Sequence, residues 1–120
     1  MLSARDYIDF MTTNRLNRRR ADDIEVSNDE FDRLCAKMRG AMVKMSRKAD
    51  IPGFDTEDLE GFFQMKLHQI LRRGQPTDFS YCARSFQSVT RNIIKEREVA
   101  LKQLHKDMLE DCEFMHFYNM

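Results

Sequence analysis

At 120 residues with zero formal net charge, the chain has the length of one domain, which buries about two thirds of the surface its unfolded form exposes. Neutrality argues against a general polyanion coat, because sequence-independent DNA binding rests on neutralising phosphates with Lys and Arg. Four glycines, two prolines, nine methionines and nine phenylalanines, with charge spread along most of the length, predict a soluble all-α protein rather than a β-rich or disordered one.

Ser3-x-x-Asp6 resembles a capping box ahead of Tyr7, Ile8, Phe10 and Met11, which predicts a short first helix ending near Thr12 to Asn14. Arg15 to Arg20 and Ala21-Asp22-Asp23 are poor in apolar residues and read as a linker, basic and then acidic. Such a segment is either a solvated connector or an arm that grips phosphates. Ser27-x-x-Glu30 is a cleaner capping box, and behind it Phe31, Leu34, Cys35, Met38, Met42 and Met45 recur at helical spacing to about Lys48.

Ile51-Pro52-Gly53-Phe54 breaks that pattern. Asp55 or Thr56 then caps a helix with Glu57 and Asp58 at its positive end, running to Arg72 or Arg73. Its stop is marked by two arginines, by Gly74 for a left-handed turn and by Pro76, which cannot continue it. Thr77 or Asp78 caps the last long helix, with Cys82, Phe86, Val89, Ile93, Ala100, Leu104 and Met108 on one side and a reach to about Leu109. The expected architecture is a compact bundle of three main helices with a short N-terminal helix and a C-terminal tail. The divisions fall at 1–26 for the N-terminal helix and basic linker, 27–109 for the helical domain, and 110–120 for the acidic-aromatic tail.

Two faces remain once the core is assigned. On the helix from Thr56, Leu59, Phe63, Leu67, Ile70 and Leu71 point inward, while Phe62 and Met65 align with Asp58 and Gln69 in a second stripe. That stripe is either a surface dock for another protein or a surface covered by the first helix. On the last helix Tyr81, Arg84, Ser88, Arg91 and Lys95 share the outer face, flanked by Gln87 and Asn92, and no acid occurs from Phe79 to Lys95. Cations, an aromatic ring and amides together suit phosphates and unpaired bases, although a cationic helix face is often merely solvated.

Charge is polarised along the chain. Arg33, Lys37, Arg39, Lys44, Arg47 and Lys48 occur with no acid after Asp32 until Asp50, whereas Asp107, Glu110, Asp111 and Glu113 occur with no base after Lys106.

Cys35, Cys82 and Cys112 form no Cys-x-x-Cys pair and follow no secretory leader, so neither a disulfide framework nor a zinc site is expected and the cytosol is the natural compartment. No apolar run approaches the roughly 20 residues a membrane-spanning helix needs. His68, His105 and His116 are scattered, and no Gly-rich phosphate loop or Gly-x-Ser-x-Gly elbow occurs. No enzyme activity, metal or cofactor is therefore expected.

Asp55-Thr56-Glu57-Asp58-Leu59, then Arg72-Arg73-Gly74 with Phe79-Ser80-Tyr81-Cys82-Ala83, then Thr90 to Arg97, resemble in order and spacing the central domain of bacterial sigma factors over about Asp29 to Lys102. The similarity is greatest to the small late-transcription sigma factors of tailed phages. The resemblance implies a promoter-melting transcription initiation factor working in the cytoplasm of a bacterial or phage-infected bacterial cell. One helix would bind the coiled coil of the largest RNA polymerase subunit through Asp58 and Leu59, to which the second stripe of that helix adds Phe62, Met65 and Gln69. Another would hold the non-template strand of the minus-ten element through Phe79, Tyr81, Arg84, Arg91 and Asn92, to which the shared outer face adds Gln87, Ser88 and Lys95.

The chain departs from that pattern at Glu60-Gly61-Phe62, where Gln-Glu is usual after the leucine, and in having no tryptophan, which leaves Tyr81 as the stacking residue. The residues after Lys102 are too few for a separate helix-turn-helix domain, so an extended minus-ten site or a second polypeptide would supply upstream recognition. Similarity to acidic-aromatic ends of phage factors implies that Phe114, Met115, Phe117 and Tyr118 dock on the polymerase flap or a sliding clamp; a terminal helix packed on its own domain is the alternative. From a different class, the chain would be a helical adaptor or inhibitor that binds polymerase or another protein without touching DNA. A homo-oligomeric helical scaffold is a third reading.

Overall fold

The computed structural model describes residues 3–118, with side chains described for residues 3–110. Four helices and no strands make up these residues: α1 (Ala4–Asn17), α2 (Asn28–Ala49), α3 (Thr56–Arg72) and α4 (Phe79–Tyr118). The all-α class with three main helices and a shorter N-terminal one is as expected.

Each start is fixed by a side chain that accepts an orphan amide. Ser3 accepts from Asp6 N, Ser27 from Glu30 N, and Asp55 with Asp58 forms a reciprocal capping box. Asp78 does the same for α4, its carboxylate accepting from Tyr81 N at 3.1 Å. The stop of α3 is a Schellman turn, with Gly74 N donating to Leu71 O at 3.2 Å, Gln75 N to Ile70 O at 3.0 Å, and Gly74 at φ +62°.

α3 and α4 form the centre, and both α1 and α2 pack on them; among the described residues α1 and α2 make no contact with each other. The core joins Leu34, Met38 and Met42 of α2 to Leu59, Phe63, Leu67 and Ile70 of α3 and to Cys82, Phe86, Val89 and Ile93 of α4. Phe63 and Phe86 meet at its middle with ring centroids 4.8 Å apart. Burying a side chain of this size stabilises the fold by about 1.5–3 kcal/mol.

α1 runs to Asn17 rather than ending near Thr12 to Asn14, and Leu16, expected in the linker, is a core residue together with Ile8. Its extra turn is stabilised by tertiary bonds to α3 and α4 that a local pattern does not encode. α4 also exceeds the expected end at Leu109, continuing to Tyr118 as a single helix of 40 residues, roughly 60 Å at 1.5 Å per residue. It sets the longest dimension of the molecule, 65 Å. Its apolar stripe leaves the core after Ala100: Leu104 is half-buried and Met108 is exposed.

Candidate nucleic-acid face

The expected outer face of α4 is on the surface. Phe79, Arg84, Gln87, Ser88, Arg91 and Lys95 are exposed, and Asn92 is half-buried at the flank. Tyr81 is half-buried, with its ring packed against the core. That packing follows from register, since Cys82, Phe86, Val89 and Ile93 turn inward and place the cations on the opposite side of the same helix.

Tyr81, Arg84, Ser85 and Ser88 line an open groove of about 290 Å³, and its remaining wall is Lys66 of α3. Lys66 was not among the residues singled out by sequence. Its approach to α4 depends on how α3 and α4 cross, which neither helix's periodicity states. The Lys66 Nζ donates to Gln69 Oε1 at 2.8 Å. Burial, and after it the charge of Arg73, pulls the Lys66 pKa below its ordinary value.

The second stripe of α3 is largely covered, as in the reading that the first helix hides it: Phe62 and Gln69 are buried, which corrects their expected part in an exposed dock, and Leu59, expected both to face inward and to meet polymerase, faces inward. Leu59 is 1%, Phe62 5% and Gln69 2% exposed, and Met65 is half-buried. The covering element is the N-terminal segment: Gln69 Nε2 donates to Arg15 O at 3.1 Å, and Arg5 of α1 pairs with Asp58. Phe62 instead packs with Phe54 at 5.9 Å, and Arg5 lies 5.7 Å from the centroid of that second ring. Of the five expected contact residues, Asp58 and Met65 retain partial access to solvent.

The basic connector after α1 lies against the end of α3. Arg19, Asp23, Ile24, Glu25 and Val26 surround a depression of about 450 Å³ with His68 and Arg72, and Ile24 N donates to Arg72 O at 2.6 Å. Its acids and bases are mixed, so it lacks the single sign of the α4 groove. Phe114, Met115, Phe117 and Tyr118 fall on the last turns of α4, and their side chains lie outside the described residues.

Among the described residues no group of three or more His, Cys, Asp or Glu side chains could hold a metal, and no helix is long and apolar enough to cross a membrane. No protein-family model, curated protein or solved structure matches the chain.

Proposed function

We propose that this chain is a sigma-like transcription initiation factor. The outer face of α4 holds the opened non-template strand of a minus-ten promoter element, and the helical body binds the RNA polymerase core. One observation carries the reading: Arg84, Arg91 and Lys95 stand exposed beside Tyr81 on a helix face that has no carboxylate from Phe79 to Lys95. Backbone phosphates are met by the cations, and an unstacked base by the tyrosine ring, with Gln87 and Asn92 as amide partners. Unstacking a base costs a few kcal/mol, which stacking on an aromatic ring offsets by about 1–3 kcal/mol.

The polymerase contact uses Asp58 and Met65, which keep partial access, and the end of α4 carrying Phe114, Met115, Phe117 and Tyr118 engages the flap or a sliding clamp. The setting is the cytoplasm of a bacterial or phage-infected bacterial cell.

A second reading, a helical adaptor or inhibitor without DNA contact, is favoured by the exposed Val99, Leu101, Met108 and Leu109 on the distal half of α4. The test is transcription by a bacterial RNA polymerase core on a premelted promoter, with and without the chain. Promoter-dependent initiation that is lost in Arg91→Glu or Tyr81→Ala is the expected result. Binding to the core that survives both substitutions, with no initiation, selects the adaptor.

A further inference from the structure

The groove between α3 and α4 has a lining of one chemistry. Lys66 and Arg84 contribute cations, Tyr81, Ser85 and Ser88 contribute hydroxyls, and no carboxylate borders it. Among the described residues neither Lys66 nor Arg84 has an acid within ion-pair distance. Two cations from different helices thus border one groove without an ion-pair partner.

Lys66 is also held in place, unlike an ordinary surface lysine. Its ammonium donates to Gln69 Oε1 at 2.8 Å, and Gln69 is fixed in turn by donating through Nε2 to Arg15 O at 3.1 Å. Gln69 is 2% exposed, so the ammonium is tethered to a buried amide that cannot swing away. Ser85 Oγ donates to Tyr81 O at 2.9 Å, which commits its proton and leaves Lys66, Arg84 and Ser88 as the donors lining the groove. A phosphate's several oxygens can accept from the planar fork of a guanidinium and from the point charge of an ammonium at once.

We infer that this groove is a phosphodiester site, in which Lys66 from α3 and Arg84 from α4 hold one backbone phosphate of a single strand whose neighbouring base lies on Tyr81. The inference rests on the strand-binding reading of α4 and extends it to a second helix, making Lys66 a nucleic-acid contact. Burial and the nearby Arg73 both disfavour the charged form of Lys66, and a bound phosphate relieves that penalty.

The experiment measures binding of a short labelled single-stranded oligodeoxynucleotide across a salt series. Lys66→Gln should weaken binding and reduce the slope of log K against log salt by about 0.7, the value of one phosphate on a single strand. Lys66→Arg should restore most of both. Neutral methylphosphonate linkages, placed one at a time along the strand, should reveal one position that weakens the wild type more than it weakens Lys66→Gln, in which only the Arg84 contact to that phosphate is left to lose. Wild-type affinity and slope in Lys66→Gln, with Arg91→Glu still impaired, would overturn the site while leaving the α4 face intact. Absence of any strand binding by the wild type would overturn both. Inorganic phosphate serves as the remaining probe: if it fills the groove while Lys66→Gln leaves strand affinity unchanged, the backbone assignment falls.

Discussion

Arg72 Nη2 donates to the carbonyl oxygen of Leu16 at 2.7 Å, so the last turn of α3 caps the last turn of α1. The same guanidinium reaches Asn17 O at 3.5 Å, and Gln69 takes Arg15 O. Three carbonyls that a helix end leaves without intrahelical partners are thus satisfied by a neighbouring helix. Arg72→Met removes a charged donor from the buried Leu16 carbonyl and should cost about 1.5–3 kcal/mol in urea unfolding. Amide exchange should quicken in α1 before it does in α2. Arg72→Lys should recover only part of the loss, because one ammonium lacks the planar fork that spans both carbonyls.

Glu96 ties the middle of α4 to α1. Thr12 Oγ1 donates to its Oε2 at 2.5 Å, and Arg15 Nη2 lies 2.5 Å from its Oε1. The carboxylate side chain is 10% exposed and the arginine 48%, so the two partners are not equivalent. Arg15→Ala leaves a nearly buried charge with a hydroxyl alone and should cost roughly 1–3 kcal/mol. Glu96→Gln leaves the arginine free to reach water and should cost less. Equal losses in thermal unfolding, or the reverse order, would contradict this asymmetry.

The same two contacts explain what was and was not legible in the sequence. Ser27, Asp55, Asp78 and Gly74 are read locally, because capping and a left-handed turn depend on residues within one turn. The inward stripe of α3 was legible for the same reason, as three- and four-residue spacing is a property of one helix. The fate of Phe62 and Gln69 was not. Gln69 is covered by α1, whose docking rests on polar bonds of Arg5, Thr12 and Arg15 with residues 53 to 84 positions away, and Phe62 packs on Phe54 of the connector before α3. The outer face of α4 needed only the register of a single helix, whereas Lys66 joined it through a helix crossing that no linear spacing encodes.

His68 should give the fold an acid-sensitive component. Its ring stands edge-on to Phe31 at 5.4 Å, and its pKa is lowered, first by burial and then by the charges of Arg72 and Arg19. With the folded value below the unfolded value of about 6.5, the unfolded chain binds the proton more readily in the interval between them. Stability is therefore fully present above about pH 6.5 and is lost as pH falls through the folded value. His68→Phe should flatten this part of the dependence in urea titrations at stepped pH. A dependence unchanged by the substitution would assign it to other groups.

Gly74 should be the most sensitive glycine in the chain. It sits at φ +62°, and a methyl group built there would lie 3.1 Å from Ile24 Cδ1. The first feature penalises any side chain by about 1–2 kcal/mol relative to glycine; the second adds crowding against a connector anchored by the Ile24 N to Arg72 O bond. Gly74→Ala should lower stability by at least the conformational part. Gly74→Asn meets Ile24 with the same Cβ but tolerates the left-handed region better, so the difference between the two isolates the backbone contribution. Repeating Gly74→Ala on an Ile24→Ala background removes the 3.1 Å contact and should recover only the crowding. Full recovery there would mean that the turn itself bears no strain, and that the glycine is required by the connector lying over it.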